Sequence, residues 1–282
     1  MALELSIMNL GTLYIVATPI GNLQDITLRA LHMLKEVALV AAEDTRHTRK
    51  LLSKYNIHTA LTSYHDHNKE DKAPIIIGQL LEGKSVALVS DAGTPCISDP
   101  GYFLVNLAID QKIRVVSIPG AVAAIAALSI SGMPSDRFVF EGFLPSKQGV
   151  LIKLLQELAK ERRTIIFYES PYRIIKTITA MLEVFGNRQA VVTRELTKFH
   201  EEIIRGSLME ILQHFQKGNV KGEFTIVVHG YTTKPPASDI DTTEYLRNLM
   251  LHRGLSKKEA VTTAAEELGL PKKEVYKRSL TV

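Results

Sequence analysis

Residues 90–101, SDAGTPCISDPG, place two aspartates, two glycines, two prolines, two serines and a threonine within twelve positions, directly after the apolar run VALV. Glycine lets a ligand approach bare backbone, proline holds a loop open, and aspartate and threonine supply polar contacts. A loop this long between neighbouring elements is uncommon and tends to serve function. Glu43-Asp44-Thr45-Arg46 closes another apolar run. Two carboxylates followed by an arginine suit the orienting of a hydroxyl or the clamping of a phosphate; helix capping by Asp44 or Thr45 is the competing use. Residues 194–202, RELTKFHEE, form a third charged cluster between apolar runs, either a site edge or a charged hairpin turn. Thr18-Pro19-Ile20-Gly21-Asn22 reads either as a tight turn or as a ligand-side loop. Pro119-Gly120-Ala121-Val122-Ala123 starts a helix with side chains small enough for a ligand to lie on backbone at its positive end, or for plain packing on a sheet.

Other chemistries lack their residues. The first turn has no G-x-G-x-x-G spacing, which disfavours a nicotinamide or flavin dinucleotide, and neither a phosphate-binding G-x-x-x-x-G-K-[ST] loop nor a G-x-S-x-G nucleophile elbow occurs. His47, His58, His65, His67 and His200 show no metal spacing, and His65-Asp66-His67 reads as a solvated loop. One cysteine, Cys96, allows neither an internal disulfide nor a Cys-cluster metal site.

The elements that must hold these loops follow from hydrophobic patterning. Residues 13–18, 37–42, 86–90 and 115–118 read as buried strands, with a weaker fifth at 61–64, and helices fit between them at 27–35, 48–55, 75–82 and 102–110. This alternation predicts a parallel sheet covered by helices, whose strand ends are where such sheets bind ligands. Residues 121–131 are apolar nearly all round and read as a helix buried between domains or in an interface. Gly132-Met133-Pro134-Ser135 reads as a hinge. Beyond it come strands at 138–142, 164–168, 190–193, 202–205 and 224–229, with helices at 151–161 and 174–185, so a second, mixed-sheet lobe is expected. The fold class is thus α/β, with lobes at 11–132 and 135–230, a linker at 231–243 and a helical tail at 244–282. In the tail Ser256–Glu259 matches a capping box, Gly269 supplies a helix stop and Pro271 a start. No fixed-period repeat is found.

Bulk properties bound the class. Hydrophobic content of 45% and charged content of 23% are those of a water-soluble globular protein, and 282 residues suffice for two domains with cores. Neither a leader-like N-terminus nor a bilayer-length apolar stretch occurs, so the cytoplasm, without a membrane partner, is expected. Net charge is +4, and residues 244–282 carry eight Lys/Arg against five Glu, or +3 of it. This mild bias favours a polyanionic partner.

Together, LYIVATPIGNLQDIT, AAEDTRHT, VALVSDAGTPCISDPG, RELTKFHEEIIRG and EFTIVVHG, in this order across residues 11–230, resemble the bacterial 16S ribosomal RNA 2′-O-ribose (cytidine) methyltransferase family, the small-subunit methyltransferase I group of the tetrapyrrole-methylase fold class. The tail is similar to the family's C-terminal extension. The resemblance implies S-adenosylmethionine as cofactor, no metal, and in-line methyl transfer to a cytidine 2′-hydroxyl in the decoding region of the small subunit, by an enzyme that is commonly a homodimer. By motif position it places cofactor contacts at Pro19, at Asp91, Gly93 and Thr94, at Val122 and Ala123, and across a cleft at Tyr168, Glu169 and Leu196.

A ribose hydroxyl needs a group to take or share its proton. Lys198 is the expected acceptor or hydroxyl-orienting group, with Arg46 on a backbone phosphate and Asp44 fixing that arginine. A lysine base requires a lowered pKa, and Glu169 is the alternative. A tetrapyrrole methylase on the same fold and a non-catalytic, cofactor-binding ribosome-assembly factor are the rival readings. The basic tail argues against the first, and the polar clusters at 43–46 and 198–202 against the second.

Overall fold

The computed structural model describes residues 10–218, 220–232, 242–268 and 270–280. Its first compact unit ends at Gly230. The N-terminal lobe of that unit contains β1 (Thr12–Val16), α1 (Leu28–Glu36), β2 (Leu39–Ala42), α2 (Thr45–Lys54), β3 (Ala60–Ser63), α3 (Lys69–Leu81), β4 (Val86–Val89), α4 (Gly101–Asp110), β5 (Arg114–Ile118) and α5 (Ala123–Ser131). The five strands pair in parallel in the order β3-β2-β4-β1-β5. Continuous apolar runs make these strands because both faces are covered. Leu13, Ile15, Val86 and Leu88 pack towards α3 and α4; Val16, Val40, Ala87 and Val89 pack towards α1 and α2. β1 and β4 are neighbours, so their following loops meet at one edge of the sheet.

Three helix starts lie at least three residues ahead of the sequence reading, and one of them, in the second lobe, is at Gln148 rather than 151. α2 begins at Thr45 rather than 48, because the Asp44 side chain accepts from Arg46 N–H at 2.8 Å and caps it. α3 begins at Lys69 rather than 75: Pro74 lies in its second turn, and Glu70 and Asp71 favour the first.

The second lobe comprises β6 (Phe138–Phe143), α6 (Gln148–Leu158), β7 (Thr164–Glu169), α7 (Ile174–Phe185), β8 (Gln189–Arg194), β9 (Glu202–Ser207), α8 (Leu208–Gln216) and β10 (Phe224–Val228). The sheet order is β6-β7-β10-β8-β9, parallel only between β6 and β7, as a mixed sheet requires. Period-two alternation splits its residues cleanly. Ile165, Phe167, Ala190, Val192, Phe224, Ile226 and Val228 face α6, α7 and α8. Ile166, Val191 and Val227 face the other way, against Ala124, Ala127 and Leu128 of α5. The all-round apolar helix therefore joins the lobes, and Gly132, at φ +74°, ends it in the left-handed conformation that glycine tolerates. α8 was not anticipated, although Ser207 and Glu210 form a full capping box at its start.

The second unit is a three-helix cluster of α9 (Thr242–Arg253), α10 (Lys257–Leu268) and α11 (Lys272–Ser279) around Leu246, Leu249, Ala260, Val261, Ala264, Leu268 and Val275. The expected capping box is present, with Ser256 N–H donating to Glu259 Oε2 at 2.9 Å and Glu259 N–H to Ser256 Oγ at 3.4 Å. Of the expected linker, residues 233–241 lie outside the described residues, as does Gly269. No helix among the described residues is long and apolar enough to cross a membrane.

Candidate active site

A cavity of about 470 Å³ opens between the two lobes of the first unit. Its first wall is the β4–α4 loop, including Ser90, Asp91, Gly93, Thr94 and Asp99, together with Glu43 at the end of β2 and Val122–Ala123 at the start of α5. The opposite wall comes from strand ends of the second lobe: Phe143 at the end of β6, Tyr168 and Glu169 of β7, Thr193 and Leu196 around β8, and Glu223 and Thr225 at β10. Tyr168, Thr193 and Thr225 point here because they occupy the same alternate face as Ile166, Val191 and Val227.

The β4–α4 loop is shaped by hydrogen bonds and by backbone strain. Thr18 and Gly93 exchange N–H···O bonds of 2.8 and 3.1 Å, lacing the loops after β1 and β4. A Cβ at Gly93 would meet only ordinary contacts, so its φ of +84° is what requires glycine. Asp99 Oδ1 accepts the N–H groups of Cys96 and Gly101, each at 2.8 Å, while Cys96 and Ser98 adopt φ of 73° and 68°. Left-handed conformations in non-glycine residues persist only where surroundings over-determine them. Thr94 Oγ1 donates to Ala121 O at 3.2 Å, holding the loop against the entry to α5.

Contacts across the cleft are close. Val122, at the N-cap of α5, makes no side-chain cap bond; the Tyr168 hydroxyl of the facing lobe instead accepts from Ala124 N–H at 3.1 Å. Burial pushes the Tyr168 phenol up, with the Ala124 N–H opposing. A Cβ on Gly21 would lie 2.5 Å from Lys198 Cγ and 2.7 Å from Thr197 Oγ1, so the turn after β1 needs glycine to seat against the β8–β9 loop.

Eight of the residues expected from motif position line this one cavity: Asp91, Gly93, Thr94, Val122, Ala123, Tyr168, Glu169 and Leu196. Pro19 does not; it is buried, and its neighbour Ile20 lines the wall instead. Asp44 and Arg46 also lie outside the lining. Their side chains form a bidentate pair at 3.1 and 2.7 Å, with the Arg46 side chain 87% exposed. The Arg46 side chain, then its backbone N–H, hold the Asp44 carboxyl well below the usual range. Asp44 touches the site through its backbone, whose N–H donates to Asp91 Oδ1 at 2.9 Å.

Lys198, expected as the proton acceptor or hydroxyl-orienting group, is not among the residues that line the cavity. Its Nζ lies 2.8 Å from Glu195 Oε1 and 3.0 Å from Glu223 Oε2. Burial alone would lower its pKa, but these two carboxylates outweigh that and raise it, which favours the charged ammonium. Glu169, the alternative acceptor, is held by its neighbours. Its carboxylate is fully buried and takes three donors: Arg173 Nη2, Thr177 Oγ1 and Ser170 N–H, each at 2.7 Å.

Glu43, one of the two carboxylates in the polar cluster 43–46, also lines the cavity. It is half-buried, and burial, then the charge of Asp91, raise its pKa, with Asp99 and Asp66 adding to the shift. Burial likewise raises Asp99. No lining side chain is basic, and no group of His, Cys, Asp and Glu among the described residues is arranged to hold a metal ion.

Comparison with known proteins agrees with this geometry. Residues 12–212 match the family of tetrapyrrole (corrin/porphyrin) methylases, and residues 236–281 match the RsmI C-terminal HTH domain. Proteins named ribosomal RNA small subunit methyltransferase I are similar over nearly the whole chain. That of Synechocystis sp. is 48% identical over 96% of this chain and 98% of its own length, and that of Bacillus subtilis 44% identical over 95% and 94%. Among solved structures, a cobalt precorrin-4 methyltransferase aligns with a TM-score of 0.60 at 18% identity, covering 77% of this chain and 94% of that one. A Thermus thermophilus uroporphyrin-III C-methyl transferase complexed with S-adenyl homocysteine aligns at 0.56 and 17% identity, covering 78% and 97%. These structural likenesses concern the fold.

Proposed function

This chain belongs to the tetrapyrrole methylase family, in its ribosomal RNA small subunit methyltransferase I group, and on that premise we propose that it methylates the 2′-hydroxyl of a cytidine ribose in the decoding region of 16S rRNA, with S-adenosylmethionine as donor. The observation that carries the donor assignment is the charge of the cavity. Glu43, Asp91 and Asp99 line it without a basic side chain, and each of the other two lining carboxylates, Glu169 and Glu223, is already paired. A sulfonium cation suits this wall, whereas a phosphate-bearing cofactor does not. A volume of about 470 Å³ falls in the range of small-molecule sites, roughly 300–1,000 Å³.

S-adenosylmethionine, when bound, supplies an electrophilic methyl carbon on its sulfonium. Asp91 offsets the positive charge, and Gly93, Thr94, Val122 and Ala123 offer backbone and small side chains to the rest of the molecule. Tyr168 and Leu196 close the opposite wall. Glu43 accepts the hydroxyl proton on its carboxylate; its raised pKa makes it a stronger base than an exposed carboxylate. Lys198 keeps its charge and holds Glu223 at the cavity edge, acting as a positioning residue.

Two aromatics support a nucleotide substrate. Tyr172, next to lining Pro171, and Phe199, in the β8–β9 loop, are each 96% exposed. An aromatic ring in water at a cleft rim is suited to stack on unpaired bases. The doubly substituted Tyr172→Ala/Phe199→Ala enzyme is expected to raise KM for small subunits at least about fivefold, since one stacked base contributes roughly 1–3 kcal/mol, with free-cofactor affinity unchanged. An unchanged KM would remove the rim from the substrate path. The same reading carries a cytoplasmic homodimer, for which exposed Ile125 and Ile130 on α5 leave apolar surface.

Asp91→Ala is expected to weaken cofactor binding by about 1.5–3 kcal/mol, the range for a hydrogen bond to a charged group, while the fold persists. Calorimetry showing parental affinity would detach Asp91 from the donor. The substrate is tested by incubating the enzyme with labelled donor and small subunits, free rRNA or a tetrapyrrole, then mapping the label. Ribose-methylated cytidine is expected; label on a base or on the tetrapyrrole would overturn the reading.

A further inference from the structure

Two helices of the C-terminal unit open with the same triplet. α10 begins Lys257-Lys258-Glu259 and α11 begins Lys272-Lys273-Glu274, and four positions after the first lysine each carries Val261 or Tyr276. Positions i and i+4 lie one above the other on a helix, with i+1 beside them. Each helix thus presents the same Lys-Lys-apolar face. Both faces turn to one cleft of about 610 Å³, whose walls are Lys257, Lys258, Val261, Lys272, Lys273 and Tyr276. Two copies of three residues are too short to register as a repeat in the sequence; the packing of α10 on α11 makes them a single surface.

The acids of the triplets are engaged elsewhere. Glu259 caps its own helix through Ser256, and Glu274 pairs with Arg278 at 2.7 Å. None of the four lysines forms an ion pair among the described residues, so four positive charges stand on the cleft uncompensated. The positive ends of two helices add to them. Val261 is buried as the floor, while Tyr276 is 57% exposed.

We propose that this cleft grips the sugar-phosphate backbone of ribosomal RNA, with the lysine ammoniums on successive phosphates and the Tyr276 ring against a sugar or base. Charge complementarity selects the occupant, and the choice of RNA rests on the substrate reading above. The cleft carries no Arg, Asn or Gln, the side chains that read base edges in pairs of hydrogen bonds. The deep major groove of an RNA helix is also too narrow for side chains to read. The surface therefore supplies affinity and leaves the choice of nucleotide to the active site.

The test uses the full chain and measures equilibrium binding to small ribosomal subunits over a range of salt. Each phosphate contact contributes about 0.7–0.9 to the slope of log K against log salt. Lys257→Ala/Lys258→Ala/Lys272→Ala/Lys273→Ala is expected to make that slope about three units shallower, so its deficit shrinks about a thousandfold between ~0.1 M and ~1 M salt. Four Lys→Arg substitutions restore the slope, and an unrelated RNA duplex shows the same loss. Tyr276→Ala lowers affinity about fivefold or more with the slope intact, because stacking releases no counterions. Unchanged circular dichroism and cofactor affinity exclude misfolding. A parental slope in the quadruple alanine variant, or a loss confined to the native rRNA sequence, would overturn the proposal. Label mapping on the parent enzyme reports separately on the substrate reading: methylation at another nucleotide would end that reading while a lysine-dependent slope upheld this one.

Discussion

Single-turnover methyl transfer by Glu43→Gln is expected to fall at least about a hundredfold, the lower range for removing an acid–base group, with cofactor affinity close to the parent's. The amide matches the carboxylate in size but cannot accept the ribose proton. The effect also has a pH signature. Burial and the neighbouring Asp91 raise the Glu43 pKa, and the base form exists only above it. In the parent, the rate of transfer climbs with pH through a limb shifted upward from that of an exposed glutamate. That limb disappears in Glu43→Gln. Lys198→Met provides the contrast: its ammonium is paired with Glu195 and Glu223, so the variant keeps the limb and loses less than about a hundredfold, below the range for removing an acid–base group. A limb that survives in Glu43→Gln and vanishes in Lys198→Met would reverse the two roles.

Glu169→Ala is expected to destabilise the first unit by about 3–5 kcal/mol, the usual result of removing one partner from a buried ion pair. The carboxylate has no exposed side-chain surface, and it joins the end of β7 to the first turns of α7 through Arg173, Thr177 and Ser170 N–H. Its loss leaves the guanidinium with only the Leu144 carbonyl, to which Arg173 Nη1 donates at 2.8 Å, and orphans the buried Thr177 hydroxyl. Glu169→Gln, which retains size and one acceptor, should cost less. Denaturant unfolding reads both as a lower midpoint with an unchanged slope. An alanine variant as stable as the parent would contradict a structural role for this carboxylate and reopen it as a chemical group. Cofactor binding should weaken with the fold, because Ser170 and Pro171 of the same turn line the cavity.

The N-terminal lobe was legible because doubly covered parallel strands must be apolar on both faces. LYIV, LVAA and VALV announce themselves, and the long polar segments after β1, β2 and β4 are then ligand-side loops by topology. Local signals were less complete where a cap or a proline competed. α8 was missed although its capping box stands in the sequence as SLME, because it sits between strands. Pro74 reads as a helix beginning, yet it is tolerated in the second turn of α3.

What the sequence by itself determined is whatever depends on near neighbours: the strands and helices, the glycine that a φ of +84° demands at 93, and the pairing of Asp44 with Arg46. Glu169 also belongs here, since Ser170, Arg173 and Thr177 follow it at one, four and eight residues. Only the tertiary structure placed Lys198 between two carboxylates, because Glu223 lies twenty-five residues away and reaches it through the antiparallel pairing of β8 with β10, where Phe224 faces Arg194. It likewise decided that Glu43, rather than the adjacent Asp44, enters the cavity: Asp44 turns its side chain to cap α2, and the preceding residue is left facing Asp91. A pKa follows the charges and burial around a group, and those are set by packing between residues far apart in the chain.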